Sequence, residues 1–285
     1  MEIIKNIDIK NKKIISFSIW GNIRLYCIGA IKNALIAKII FPEWICRFYY
    51  DSTVPNIIID YLKKLDNVEL VFIKEKSGGT IYKEGTYGSL WRFYPFNDND
   101  VDIFMIRDID SRLSKYEYIK INDFINSNYI LHAFVDNNEV INNKYFRAGT
   151  TTFKNYINNN DTRIINNTKL DIFNLLKYID KKNTNFYDDE NFLNNIIYPL
   201  YKDYYTKCQR THLDITIQNK YFPCNNNIYI YGKYVGNVVD EYDKLIDKNN
   251  NKDFNYKNNY DDLEELLNNY KNDLLNNNLF KYQFL

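Results

Sequence analysis

The stretch VDIFMIRDIDSRL, residues 101–113, decides which fold this chain is expected to have. Its apolar first half predicts a buried strand, and that strand runs directly into a cluster of charged residues. Asp108 and Asp110 stand one residue apart in this cluster and are flanked by Arg107 and Arg112. Because side chains two positions apart on an extended segment share a face, the two carboxylates are expected to converge above the sheet.

Strands and helices alternate along the chain before this stretch. Apolar runs predict strands at 13–20, 45–50 and 68–73, and helical spacing predicts helices at 26–41, 55–65 and 90–96. This order predicts an α/β fold with a mostly parallel central sheet, helices on both faces and a Rossmann-type nucleotide-binding half. In such sheets, ligands bind outside the carboxyl ends of the strands, where the two aspartates are expected to lie.

The second half of the sequence is more mixed. It predicts helices at 115–126, 169–179 and 188–201, a strand at 129–135 and a β-branched run at 148–153. From about residue 259, apolar residues recur at the spacing of one amphipathic helix. We expect that helix to dock on its own domain, with a homodimer contact or a partner site as the alternative. The predicted organisation is an α/β domain over 1–245 and a helical C-terminal extension over 246–285.

The composition excludes several classes of protein. The 285 residues carry a formal net charge of +1, which argues against a nucleic-acid binder, because such proteins carry a basic excess. No run of about 18 apolar residues is present, so an integral membrane protein is not expected. The N-terminal residues lack the apolar core of a signal peptide, and four scattered cysteines indicate reduced thiols. We therefore expect a cytoplasmic protein.

The amino-acid composition also indicates an AT-rich source genome. Asn, Ile, Lys and Tyr are used heavily, as in proteins from AT-rich genomes such as those of giant viruses and certain protists. For a viral protein, the expected location is the host cytoplasm or the virion.

Paired carboxylates at the end of a strand favour one kind of ligand. Close like charges repel unless a cation shares their site, and carboxylate oxygens suit hard ions such as Mn²⁺ or Mg²⁺. Such ions take only one or two protein carboxylates, and substrate phosphates complete their coordination. The expected substrate therefore carries a diphosphate. The alternative is a solvated loop in which Asp108 and Asp110 pair with Arg107 and Arg112.

Three known uses of a DxD motif compete at this point. In haloacid-dehalogenase-type phosphatases the first aspartate is a nucleophile, but there the motif normally follows the first strand, whereas here three strands precede it. Nucleic-acid strand-transfer enzymes need a basic surface, which this composition does not provide. In nucleotide-sugar glycosyltransferases the motif follows a nucleotide-binding β-α-β half, and that order fits this chain.

Five segments, in order, resemble a family of GT-A type glycosyltransferases found in bacteria, eukaryotes and large viruses. They are ISFSIWG (15–21), YCIGAIKNALIAKIIFPEWICRFYYDSTVP (26–55), LWRFYPFNDNDVDIFMIRDIDSRLSKYE (90–117), YDDENFL (187–193) and FPCNNNIYIYGKYVGNVVDEYD (222–243). The resemblance implies transfer of a hexose from a nucleotide-diphosphate sugar, UDP-linked by preference, with Mn²⁺ or Mg²⁺. The acceptor is then a hydroxyl group of a glycan, protein or lipid. A nucleotide-sugar binder without catalysis is the alternative.

The resemblance also implies roles for individual acids and one histidine. Asp110 is expected to be a direct metal ligand, and Asp108 to contact the ribose or the metal. His212 lies where several GT-A enzymes have an imidazole ligand, and an ordinary surface or core histidine is the alternative. Asp189 is expected to bind acceptor hydroxyls or act as general base, with capping of a helix as the alternative.

The remaining expected site residues face the donor. Arg92 precedes the motif in a short helix and is expected to reach the nucleotide or to brace Asp108. Arg107 and Arg112 are expected to offset diphosphate charge, or instead to form salt bridges that hold the aspartates. The loop that starts at Trp20 and Gly21 is expected to lie under the nucleotide base. The Gly-rich stretch 77–88 is expected to form a lid, with a merely flexible loop as the alternative.

Overall fold

The structure is a computed structural model that describes most of the N-terminal half and parts of the rest. It covers residues 1–74, 87–127, 129–135, 146–155, 171–177, 179, 188–199, 208–212, 238–244, 246 and 259–276. The first elements are β1 (Glu2–Lys5), β2 (Lys12–Ile19), α1 (Arg24–Ile40), β3 (Trp44–Tyr50), α2 (Asn56–Lys63), β4 (Val68–Phe72), a 3₁₀ helix (Tyr87–Asn97) and β5 (Val101–Arg107). The later elements are α3 (Lys115–Ile125), β6 (Leu131–Val135), β7 (Thr150–Lys154), α4 (Ile172–Leu176), α5 (Asp188–Phe192), a π-helical turn (Leu193–Ile197), β8 (Cys208–His212) and α6 (Leu263–Asn276).

The strands of the described residues form a single sheet in the order β1-β4-β3-β2-β5-β7-β6-β8. Strands β2, β3, β4 and β5 pair in parallel, and β6 pairs in parallel with β8, while β1 and β7 run antiparallel to their neighbours. After the edge strand β1, the chain enters the middle of the sheet at β2, moves outward through β3 and β4, and then returns to β5 on the other side of β2. The strand order therefore reverses between β2 and β5, and in α/β sheets such a reversal opens a crevice at the carboxyl ends.

Two hydrophobic cores cover the two faces of the sheet. Side chains alternate along β2, so that Ile15, Phe17 and Ile19 face one core and Ile14 faces the other. The first core joins the sheet to α1, α2, α3 and α6, and its buried members include Ile31, Phe48, Ile58, Tyr116 and Leu267. The second core joins it to the 3₁₀ helix, α4 and α5, and includes Trp91, Phe104, Ile172 and Phe192. The expected α/β class, with helices on both faces, is confirmed.

The C-terminal helix α6 belongs to the first core. Leu263, Leu267, Tyr270 and Leu274 are buried and pack with residues of α1, as expected for a helix that docks on its own domain. Its apolar face is therefore covered within the chain. The predicted division between residues 245 and 246 falls in a stretch of which little is described, so its position stays a prediction. Within the described ranges, no helix is long and apolar enough to span a membrane.

Candidate functional site at the switch point of the sheet

The carboxyl ends of three neighbouring parallel strands meet beside the switch point. Strand β3 leads into Asp51, β2 into Trp20 and Gly21, and β5 into Asp108. Asp51 is buried and accepts a hydrogen bond from the N–H of Thr53 (2.9 Å). Because a crevice at this edge is where doubly wound sheets bind ligands, these residues define the candidate site.

The loop after β5, residues 108–114, carries both aspartates and leaves the extended conformation at once. Strand β5 ends at Arg107, and the residues that follow Asp108 form a turn at positions 109 and 110. The alternation of side chains along a strand therefore ends before Asp110. Strand geometry does not determine how the carboxylates of Asp108 and Asp110 lie relative to each other. Both aspartates are only partly buried, and 41% of the Asp108 side chain is exposed.

The Asp108 carboxylate is fixed on two sides. Its Oδ1 accepts a hydrogen bond from Nη1 of Arg92 (2.5 Å). On the other side it packs against Gly149, where an added Cβ would lie 1.9 Å from its Oδ2. Real Cβ atoms do not approach so closely, so only glycine at position 149 leaves room for the carboxylate in this place.

Arg92 links the two predicted site acids, Asp108 and Asp189. Its guanidinium is buried, forms ion pairs with both carboxylates, and also donates from Nη1 to the carbonyl of Arg107 (3.3 Å). The backbone of Arg92 is anchored in turn, because its carbonyl accepts from the hydroxyl of Ser16 on β2 (2.8 Å). Arg92 therefore braces Asp108, which was one of its two expected roles.

Asp189 lies inside this arrangement, whereas its neighbour Glu190 is more open. The Asp189 carboxylate is buried, pairs with Arg92 and accepts from the backbone N–H of Glu190 (2.8 Å) in the first turn of α5. Burial raises the pKa of Asp189, and the charge of Arg92 opposes that rise. Burial also raises the pKa of Glu190, with smaller contributions from the charges of Asp189 and Asp108. Glu190 is thus a second candidate acid beside Asp189, at a position that spacing and motif do not distinguish in the sequence.

Arg107 and Arg112 point into the protein. Arg107 lies 3.2 Å from the buried Glu117 and donates to the carbonyl of Gly149 (2.8 Å) and the hydroxyl of Ser111 (2.9 Å). Arg112 pairs with Asp243 (2.7 Å). Both guanidinium groups are almost fully buried. These contacts favour a role in holding the loop, rather than the expected contact with a diphosphate or salt bridges to the two DxD carboxylates.

The loop is also held by α1 from below. Asn33 donates from its side chain to the carbonyls of Ile109 (3.1 Å) and Ser111 (2.8 Å), and its Oδ1 accepts from the N–H of Leu113 (3.2 Å). A Cβ at Gly29 would lie 2.5 Å from the carbonyl of Ile109, so the loop rests directly on the backbone of α1. Sequence reasoning did not identify Asn33 as part of the site, although it lies in one of the segments that carry the family resemblance.

The loop after β2 is shaped by Gly21, Thr53 and the C-terminal segment. Gly21 has a φ of +73°, a conformation that side chains disfavour, and its N–H donates to the hydroxyl of Thr53 (2.6 Å). Trp20 packs edge-on against Trp91, with ring centroids 6.1 Å apart. The hydroxyl of Tyr260 donates to the carbonyl of Asn22 (2.9 Å). The two predicted residues, Trp20 and Gly21, thus lie at the crevice beside the end of β5.

The two histidines occupy different places. His132 is a fully buried residue of β6, between the rings of Phe124 and Phe134. The backbone of His212 ends β8 at the same edge of the sheet as Asp108, but three strand spacings away, roughly 14 Å. Its expected role as a metal ligand stays a prediction. Of the expected lid, residues 77–86 lie outside the described residues, and positions 87 and 88 belong to the 3₁₀ helix.

The acids at the carboxyl edge of the sheet suit a metal site that substrate phosphates complete. In the part of the chain that the structure describes, no group of three or more His, Cys, Asp or Glu side chains could hold a metal ion. Asp108 and Asp110 provide two carboxylates at an open edge, and two are enough for Mn²⁺ or Mg²⁺ when substrate phosphates complete the coordination. The donor set therefore fits a cation that binds together with a diphosphate.

Comparisons with known proteins found distant structural similarity and no match in sequence. No protein-family model and no curated protein matches the sequence. One similar solved structure is 4-diphosphocytidyl-2C-methyl-D-erythritol synthase from Anaerococcus prevotii, with a TM-score of 0.39 and 12% identity over 72% of this chain and 90% of that chain. Another, described as a glucose-1-phosphate thymidylyltransferase, is from Bacillus anthracis and was solved with sucrose; its TM-score is 0.40, with 10% identity over 71% of this chain and 87% of that chain. Similarity at this level transfers no activity to the chain.

Proposed function

We propose that this chain is a GT-A-like, metal-dependent glycosyltransferase that moves a hexose from a nucleotide-diphosphate sugar to a hydroxyl group. The main support is the position of Asp108, whose partly exposed carboxylate is backed by the buried Arg92 at the switch point of the sheet. The preference for a UDP-linked donor, and for a glycan, protein or lipid acceptor, comes from the family resemblance in the sequence.

The residues of the site divide between the parts of the donor. The nucleotide would lie over Trp20 and Gly21 at the end of β2, and its diphosphate would reach the loop after β5. Asp110 and Asp108 would hold the cation, which offsets charge on the departing diphosphate. Arg92 keeps the Asp108 carboxylate in place, so that its position does not depend on bound ligand.

A binder of nucleotide sugars without catalysis is the second candidate. The observation that favours it is the burial of Asp189, since a general base must reach the acceptor hydroxyl, and this carboxylate is instead paired with Arg92. If transfer inverts the sugar, Glu190 is the better-placed base, because it is only half-buried and its raised pKa strengthens it as a proton acceptor.

A donor screen tests both candidates. The protein is incubated with Mn²⁺ and a panel of UDP- and GDP-sugars, and thermal unfolding and donor hydrolysis are followed together. A donor at about 100 times its Kd should stabilise the protein by roughly 2.7 kcal/mol. Stabilisation with slow hydrolysis supports the transferase, stabilisation alone supports the binder, and no stabilisation by any nucleotide contradicts both.

The metal role of the loop is tested with Asp110→Asn. We expect this variant to lose Mn²⁺-dependent nucleotide binding and to keep its stability within about 0.5 kcal/mol, because the amide has nearly the size and shape of the partly exposed carboxylate that it replaces. The matched control is Asp100→Asn, an exposed aspartate before the opposite end of β5, which should bind as the unaltered protein does. Unfolding of the Asp110→Asn protein would show instead that this carboxylate has a structural role.

A further inference from the structure

The side chain of Arg112 joins the aspartate loop to a segment far away in the sequence. Its Nη1 donates to the carbonyl of Ile109, the residue between the two aspartates (3.2 Å). Its Nε lies 2.7 Å from Oδ1 of Asp243, which is 131 residues further along the chain. Since the guanidinium is almost fully buried, the carboxylate of Asp243 provides the charge that balances it.

We infer that Asp243 is a positioning residue for the cation and diphosphate site: by holding Arg112, it fixes the loop from which Asp108 and Asp110 project. This inference rests on the proposed function. A second contact supports the same coupling, because the N–H of Val239 donates to the carbonyl of Asp110 (2.8 Å). The carbonyls of both residues 109 and 110 are therefore bonded by groups that depend on the segment 238–244.

The segment that carries Asp243 is itself ordered by a tight turn. Oδ1 of Asp240 accepts from the N–H groups of Tyr242 and Lys244 (both 2.8 Å), and its carbonyl accepts from the N–H of Asp243 (3.1 Å). Asp243 has a φ of +63°, in the left-handed region. Its second carboxylate oxygen accepts from Lys32 of α1 (2.7 Å), so the turn is tied to the helix beneath the loop.

These contacts make Asp243→Asn an informative substitution. Asn tolerates the left-handed backbone as well as Asp does, so the turn should persist. Lys32 and Arg112 both lose the charge of their shared carboxylate. Lys32 keeps its bond to the carbonyl of Glu241 (2.7 Å), and Arg112 keeps its bond to the carbonyl of Asp240 (3.1 Å). The change therefore reaches the aspartate loop through Arg112, the one of the two cations that contacts it.

The experiment compares Asp243→Asn with Asp98→Asn. Asp98 pairs with the buried Arg47 at the same distance of 2.7 Å, but this pair lies at the amino ends of the strands, away from the site. Both variants should lower the melting temperature. Binding of Mn²⁺ in the presence of UDP, measured by electron paramagnetic resonance of the free ion, should weaken about 10- to 100-fold in Asp243→Asn alone, as when a group that orients metal ligands is lost.

The outcomes separate the inference from the proposed function. If the unaltered protein binds Mn²⁺ no better with UDP than without it, the proposed function fails and the inference fails with it. If the unaltered protein binds both, but Asp243→Asn binds as tightly as Asp98→Asn at a temperature where both are folded, the inference alone is overturned.

Arg112→Met covers the case in which Asp243→Asn does not fold. It removes the buried guanidinium, leaves the Asp243 carboxylate paired with Lys32 (2.7 Å) and does not alter the left-handed backbone of residue 243. We expect a folded protein that still binds Mn²⁺ and UDP about 10-fold more weakly, because the carbonyl of Ile109 has lost its bond from Arg112 and keeps only the bond from Asn33. Binding equal to that of the unaltered protein would overturn the inference.

Discussion

The two ends of the parallel strands both carry buried charge, but they arrange acid and base in opposite ways. At the amino ends, Glu69 is inside, with 1% of its side chain exposed, and it lies between Lys12 (2.9 Å) and Arg47 (2.7 Å). At the carboxyl ends, Arg92 is inside, and the exposed partner is Asp108. An acid enclosed by two cations has no access to a ligand. An acid that faces solvent from a buried arginine can bind a ligand. Asp98 on Arg47 is arranged in this way too, with 29% of its side chain exposed against 41% for Asp108, but it lies at the amino ends. Exposure and a position at the switch point therefore together separate the candidate site from the structural cluster.

The largest expected effect follows from removing the enclosed acid. Glu69→Gln leaves Lys12 and Arg47 without their shared carboxylate, and an uncompensated buried charge should cost about 3–5 kcal/mol of the free energy of unfolding. Denaturant unfolding measures the loss. Any molecules that remain folded should bind Mn²⁺ with UDP normally, and a specific loss of that binding would show that the two ends of the sheet are not independent.

At the carboxyl ends of the strands, we expect a substitution with a smaller cost in stability and a larger effect on ligand binding. Gly149→Ala places a methyl group where the Asp108 carboxylate lies, so we expect overpacking to cost about 1–3 kcal/mol. The carboxylate should be displaced, and binding of UDP with Mn²⁺, measured by calorimetry, should be largely lost. A variant that keeps this binding would show that the observed position of Asp108 is not required.

His132 predicts how the stability of the protein depends on pH, since it is a buried ionisable group that belongs to neither charged cluster. Burial, with a smaller contribution from Lys120, lowers the pKa of His132 to about 3, against about 6.5 in the unfolded chain. Between these values the unfolded chain binds a proton that the folded chain does not. Stability should therefore fall as the pH falls below 6.5, by up to about 1.4 kcal/mol per pH unit.

The measurement for this prediction is the free energy of unfolding at pH 6.5 and pH 5, in the unaltered protein and in His132→Phe. The loss on acidification should be smaller in the variant, because the group that binds the extra proton is gone. Equal losses in the two proteins would mean that other groups account for the acid sensitivity.

The smallest effect is expected from an exposed pair near the amino ends of β2 and β3. Lys13 and Glu43 lie 2.6 Å apart, closer than Arg47 and Glu69, yet 74% of the Glu43 side chain is exposed. Because water screens exposed charges, Glu43→Gln should change the free energy of unfolding by less than about 1 kcal/mol. Urea unfolding of Glu43→Gln, compared with that of Glu69→Gln, would test whether burial of an ion pair, rather than its distance, sets the loss of stability.

Sequence periodicity predicted the elements that build the candidate site. Strand β5 was expected over 101–107 and is observed there. Helix α1 was expected over 26–41 and is observed over Arg24–Ile40, so its start differs by two residues. These elements have strong apolar patterns of their own. By contrast, β1 was not predicted, since it is a short antiparallel edge strand with mostly exposed side chains.

The partners of the charged residues could not be predicted in the same way. The sequence places Arg107 and Arg112 beside the aspartates, but it does not show that one pairs with Glu117 and the other with Asp243. Nor does spacing show where a strand stops, and because a turn follows Asp108, the alternation of side chains along β5 does not determine the direction of Asp110. Such contacts depend on tertiary packing, which a local pattern does not encode.

The docking of α6 on α1 has a consequence for folding while the chain is being synthesised. Arg24 contacts Asn259 across 235 residues, and the apolar face of α1 is covered in part by a helix that is synthesised after all eight strands of the described sheet. Contacts so distant in sequence form late, and uncovered apolar surface on a nascent chain favours aggregation. Part of the apolar face of α1 therefore stays open to chaperones until α6 has left the ribosome and docked.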